Sequence, residues 1–161
     1  MPLWQIYHPR STTFTSPSSK QSFAKDITKF YTDLGLPAFY VVVNFIATDP
    51  DDVYVGGTPK HPTDDKPFVR IVITHIALHV PDSDAAYLRT TSRLDAVMKP
   101  HLLDQGYDFE YHVDETDRRL WKINGLVPPP FKSEEERVWI RENRAVPYDG
   151  GVPSVPSVSS L

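Results

Sequence analysis

The apolar positions of this chain change period in an order that occurs twice. Residues 2–8 (Pro-Leu-Trp-Gln-Ile-Tyr-His) alternate and predict a strand. After a polar loop over 9–17, Ser16 and Pro17 predict a helix N-cap and first turn. Phe23, Ile27, Phe30 and Leu34 then recur at helical spacing on one face, and Gly35 with Pro37 stops the helix. Phe39 to Ala47 is β-branched and aromatic, and apolar on both faces apart from Asn44. That predicts a central strand covered on both sides. Asp49 to Asp52 turns the chain into a short arm, Val53-Tyr54-Val55, which ends at Gly56-Gly57. Residues 58–67 read as a polar, proline-rich connector.

The order then begins again. Pro67 to His79 predicts a strand, and Pro81-Asp82-Ser83-Asp84 opens a second helix. Tyr87, Thr91, Leu94, Met98 and Leu102 form its predicted buried face, with Gly106 as the stop. Tyr107 to Val113 alternates as a strand, and Trp121 to Gly125 predicts a short arm ending at a glycine. Pro2 recurs as Pro67, Ile27 as Leu94 and Gly56 as Gly125, at offsets of 65, 67 and 69 residues. Two fused strand–helix–strand units predict an α+β fold with one four-stranded sheet and two helices on one face. The other face, apolar at several positions, calls for a partner, and self-association is the simplest.

The domain runs over residues 1–131, with repeats at about 2–57 and 67–125. Residues 132–161 follow as a short helix and a tail. Ser133 caps that helix, Glu134 to Arg144, with Val138, Trp139 and Ile140 as its apolar anchors. It reads as an appendage laid across a neighbour. Gly150 to Leu161 is mainly Gly, Ser, Val and Pro without charge, and is expected to stay unordered alone.

Composition narrows the chemistry. The net charge is −4 with no basic stripe, which argues against nucleic acid. There are no cysteines, which removes disulfides and thiol catalysis. Neither a signal peptide nor an apolar run of membrane-spanning length is visible, so a cytoplasmic protein without a membrane partner is expected. His75 and His79 would lie roughly 13 Å apart on a strand, too far to chelate, and no metal site is expected.

Pro2 is the candidate catalytic group. A small second residue favours loss of the initiator Met1, which would leave a proline whose secondary amine is free. Such an amine is a base when neutral and an acid when protonated. Burial and nearby cations both disfavour the protonated form and lower its pKa towards the range of a usable general base.

Pro2 to His8, Ala24 to Thr28, Val53 to Gly57, Tyr107 to Glu115 and Leu120 to Pro130 together resemble the tautomerase superfamily. Within it, they are most similar to the longer fungal-type members of the cis-3-chloroacrylic acid dehalogenase-like group. The resemblance implies fused β-α-β repeats, a homotrimer, no cofactor and no metal, and a small carboxylic acid as substrate. The two arginines of the dehalogenase site align with His79 and Asp82, and its water-activating carboxylate with Lys122. Asp114 and Glu115 lie earlier in the same hairpin. Arg10, in the equivalent loop of the first repeat, matches a family-like arginine, and Arg70 lies inside the strand where it could line the same pocket; with His79 and Lys122 they are the candidate carboxylate anchors. Tyr111 matches a tyrosine of that site, and Tyr31 stands where the group carries a histidine.

The function expected is a cofactor-independent tautomerase that uses Pro2 as general base on a small unsaturated or 2-keto carboxylic acid. Two alternatives stay open. One is dehalogenation and hydration of a 3-haloacrylate with a protonated Pro2. The other is a trimeric binding module without chemistry.

Overall fold

The computed structural model describes residues 1–60, 66–76 and 79–152. Four strands form the main sheet: β1 (Pro2–Pro9), β2 (Val42–Thr48), β5 (Phe68–Ile76) and β6 (Asp108–Thr116), in the order β2-β1-β5-β6. β1 pairs parallel with β2, and β5 parallel with β6. The two halves join through the antiparallel β1–β5 pair, so each repeat contributes one inner and one outer strand. A hairpin of β3 (Tyr54–Val55) and β4 (Thr58–Pro59) turns over Gly56 and Gly57. Both glycines have positive φ, 60° and 79°, as a tight two-residue hairpin turn demands.

Helices α1 (Pro17–Thr32) and α2 (Asp84–Met98) cover one face. Along β1, Pro2, Trp4, Ile6 and His8 are buried, and along β5, Val69, Ile71, Ile73 and His75. The alternation turns these residues to the helices. Phe23, Ile27 and Tyr31 of α1 and Leu94 and Met98 of α2 meet them in one core. The opposite face carries Leu3, Tyr7 and Val72 beside Arg70, Glu110 and His112, and is less buried.

Both helix starts are capped as the sequence predicts. Ser16 accepts from the Ser19 N–H at 3.1 Å, and Ser83 from the Ala86 N–H at 3.3 Å. Pro17 occupies the first turn of α1, where its missing N–H does no harm. Ser16→Ala is expected to destabilise the fold by about 1 kcal/mol, read from urea unfolding, whereas Ser16→Gly should cost only a few tenths.

Several elements differ from expectation. The Phe39–Ala47 run opens with a 3₁₀ turn, Ala38–Tyr40, and supplies an edge strand rather than a central one. The residues of β2 are exposed or only partly buried, in keeping with a strand paired on one side alone. Tyr87 is exposed, and Ala86 takes the buried position. Trp121 to Gly125 is no strand. A 3₁₀ turn at Arg118–Leu120 leads into a reversal at Asn124-Gly125, held by one bridge between Ile123 and Leu126. The connector's centre (61–65), two residues of the predicted Pro67–His79 strand (77–78) and most of the predicted tail (153–161) lie outside the described residues.

Helix α3 (Glu134–Glu142) packs on its own chain. Trp139 is fully buried among Phe39, Tyr40 and Tyr148, at ring distances of 5.9, 6.1 and 6.2 Å. Asn143 closes the helix and accepts from the Phe39 N–H at 2.9 Å. Of the other predicted anchors, Ile140 is exposed, and Glu136 is buried in its place. Among the described residues, no helix is long and apolar enough to cross a membrane.

Candidate active site

The antiparallel junction decides what surrounds Pro2. Pro2 begins β1 and pairs with His75 near the end of β5, both turned towards the helices. Tyr31, from the last turn of α1, reaches His75 Nε2 at 2.9 Å, and Trp4 Nε1 donates to the Tyr31 oxygen at 3.0 Å. With that lone pair occupied, we assign the Tyr31 hydroxyl as donor to a neutral His75. Burial lowers the His75 pKa to about 4, with Glu115 opposing the shift, so the ring is uncharged near neutrality.

His75 therefore links stability to pH. Its pKa falls from 6.5 in the unfolded chain to about 4 in the folded one, so between those values the unfolded chain binds more protons. The stability tied to the neutral ring is fully present above pH 6.5 and is lost as pH falls towards 4. His75→Gln keeps a partner for Tyr31 and should flatten that part of the pH dependence. Urea unfolding at several pH values across this window checks it, and parallel curves for the two proteins would refute a buried neutral ring.

A cavity of about 410 Å³ opens beside this trio, walled by Phe30, Tyr31, Leu34, His75 and Ala86. Arg89 and Arg93, one turn apart on α2, stand at its exposed rim, with the Arg93 guanidinium 5.1 Å above the Phe30 ring. His79 and Val80 close the opposite edge. His79 Nδ1 lies 2.9 Å from Glu115, which also accepts the Val80 N–H at 2.6 Å. Burial alone would raise the Glu115 pKa, but these hydrogen bonds, the Val80 N–H above all, bring it below the usual carboxylate value.

On the far side of Tyr31 and His75, Met1 extends the strand. Its amine donates to the Ile76 carbonyl at 2.7 Å, and the Ile76 N–H returns a bond to the Met1 carbonyl at 2.9 Å. The hollow around Met1 and Pro2 measures only about 10 Å³, so Met1 fills it. Burial, reinforced by the charge of Arg118 and opposed by that of Glu136, lowers the pKa of the chain-start amine to about 5.

The structure gathers some of the sequence-predicted residues and separates others. Pro2, Tyr31 and His79 lie at this end of the sheet. Arg10 lies past the opposite end of β1, roughly 25 Å along the strand, paired with Asp49 at 3.0 Å. Arg70 pairs with Glu110 at 2.9 Å on the face turned from the helices. Tyr111 bonds Asp95 of α2 at 2.8 Å and braces that helix against β6. Lys122 is exposed on the turn after Trp121. Sequence reasoning missed His75, Arg89, Arg93 and Arg118. The two α2 arginines carried a readable signal, four residues apart on one helix face.

Comparison with known proteins agrees with the architecture. Residues 1–144 match the family described as "Putative oxalocrotonate tautomerase enzyme". The crystal structure of "a probable enzyme from the thermophilic fungus Aspergillus fumigatus" is 43% identical, with a TM-score of 0.81, over 92% of this chain and 98% of that one. Native RhCC from Rhodococcus jostii RHA1 is 36% identical, with a TM-score of 0.80, over 91% of this chain and 99% of that one. A fused 4-OT symmetric trimer shares the fold at 16% identity and a TM-score of 0.58, over 78% of this chain and 94% of that one. No curated protein matches the chain.

Proposed function

We propose that this chain, which belongs to the oxalocrotonate tautomerase family, is a cofactor-independent tautomerase whose general base is the amine of Pro2 after loss of Met1. The observation that carries the reading is the placement of Pro2. It is buried at the head of β1, opposite a neutral His75, where the surroundings already depress the pKa of the neighbouring chain-start amine to about 5. A free amine in that setting is neutral near pH 7 and ready to accept a proton. While Met1 is attached, the same nitrogen is an amide and has no usable lone pair.

The substrate is a small 2-hydroxy unsaturated acid, the enol of a 2-keto acid. Its O–H bond breaks and the proton passes to the Pro2 nitrogen. The O–H electron pair becomes the C2=O double bond, and the C2=C3 pair takes the proton back from the Pro2 ammonium at C3. Nothing is oxidised, and no co-reactant is consumed. Arg89 and Arg93, exposed on α2, draw the anion towards this end of the sheet. Tyr31 and His75 shape the wall next to Pro2. The apolar residues on the sheet's second face and the trimeric assembly of fused 4-OT support a homotrimer.

Ketonisation of phenylenolpyruvate tests the reading, followed by loss of its ultraviolet absorbance. Intact mass must first show that the chain starts at Pro2. A chain that starts at Pro2 and leaves the enol at its uncatalysed rate would end this proposal.

A further inference from the structure

We propose that Arg118, the Tyr40 hydroxyl and the Trp121 Nε1–H form a subsite that holds the substrate's carboxylate near the start of β1. This rests on the reading of Pro2 as the catalytic amine and specifies how the acid is gripped.

Three separate segments build the subsite. Tyr40 comes from the 3₁₀ turn before β2, Arg118 and Trp121 from the turn after β6, and the buried Glu136 beside them from α3. The Tyr40 and Trp121 rings meet edge-on at 5.0 Å, with 2% and 6% of their surfaces exposed. Neither polar hydrogen has an acceptor among the described residues. A buried donor without a partner carries the full cost of its lost hydration, and phenylalanine would fill the Tyr40 site without that penalty. A ligand oxygen would remove it. An acceptor with two oxygens serves both donors.

Arg118 supplies the charge. Its Nη2 donates to the carbonyls of Pro128 and Pro129, which fixes the guanidinium plane, while Nε and Nη1 make no hydrogen bond among the described residues. Arg118 is partly buried, whereas Arg89 and Arg93 are exposed and screened by solvent and salt. The less screened cation is the better anchor, and the rim pair serves for steering.

The charges of Arg118 and Glu136 both act on the chain-start amine and on the Tyr40 phenol, so these groups share one electrostatic neighbourhood. Met1 packs against the same core as Tyr40, Trp121 and Trp139. Glu136 is 2% exposed and accepts the Lys132 N–H at 2.6 Å. It balances Arg118 in the resting site. A bound carboxylate adds one negative charge beside Arg118, and proton transfer from the enol to Pro2 leaves the net charge of the site unchanged.

Calorimetric titration of phenylpyruvate, the keto product, into the chain lacking Met1 tests the subsite. Arg118→Met should weaken binding about tenfold or more, as for loss of a charge-assisted hydrogen bond. Because Arg118 also ties down two proline carbonyls, Tyr40→Phe is the second variant. It should weaken binding about fivefold while leaving the fold as stable as before or slightly more so. Unchanged affinity in both variants, or no binding by the parent chain, would overturn the subsite. Turnover reports separately on Pro2. If Pro2→Ala still ketonises the enol normally while Arg118→Met loses affinity, the amine reading falls and the subsite stands.

Discussion

Pro2→Ala is expected to lower kcat/KM for phenylenolpyruvate by roughly 10²–10⁴, the range that positioned proton transfer supplies. The substitution keeps a small second residue, so Met1 should still be removed. What remains is a primary amine without the ring that fixes its direction. The lone pair is then no longer held towards the acid, so positioning is lost although a basic amine remains. The fold should survive, because the register with His75 is a backbone property and Trp4 and Ile6 hold the strand. Protein that retains Met1 should be inactive without any mutation, since the nitrogen is then an amide. The pH profile carries the sign of the mechanism. A base must be neutral, so kcat/KM should rise with pH through the amine's pKa and then level off. That rise should fall well below 7.7–8.0, the ordinary range for a chain-terminal amine, because burial and Arg118 both disfavour charge here. Activity within about twofold of the parent in Pro2→Ala, a change far smaller than any proton-transfer contribution, would exclude the base role.

The helix caps, the glycine turns and the duplicated unit were legible because each depends on a few neighbouring residues. Ser16-Pro17 and Gly56-Gly57 need only local sterics and one hydrogen bond. The order of strands is another kind of fact. The β-branched run before Thr48 packs well wherever it is placed, and its apolar pattern does not say whether one strand or two will flank it. The same gap explains the site residues. Arg10, in the loop after the first strand, and Arg70, inside a later one, read as pocket residues only while the strand order is unknown. The antiparallel β1–β5 junction places Tyr7, not Pro2, opposite Arg70 and brings His75 to Pro2 instead. Once that junction is known, Tyr31 and His79 follow from their positions at the same end of the sheet. Arg118 and Glu136 were harder still. They come from turns and from a helix whose place is set by one tryptophan, and no periodicity records where that tryptophan docks.

Trp139→Ala should destabilise the protein by about 3–5 kcal/mol, the usual range for deleting a fully buried large aromatic. A nine-residue helix cannot persist by itself in water, so its stability must come from packing. Trp139 supplies most of that packing. It is the fully buried apolar side chain of α3, it meets three aromatic rings, and its Nε1 donates to the Val146 carbonyl at 2.7 Å. Trp139→Phe separates these contributions. It retains most of the ring contact but abandons the hydrogen bond, and should cost about 1–3 kcal/mol for the unpaired carbonyl and the smaller ring. Urea unfolding of both variants, compared at equal protomer concentration so that assembly does not distort the midpoint, gives the two values. The activity should follow in a particular order. If α3 positions Glu136 and backs Tyr40, Trp139→Ala should lose phenylpyruvate affinity even at temperatures where the sheet remains folded, and residues 133–143 should become sensitive to protease first. A Trp139→Ala protein within about 1 kcal/mol of the parent, less than a single lost cavity-lining contact would predict, would mean that α3 is not held by this side chain. The C-terminal contribution to the site would then need another support.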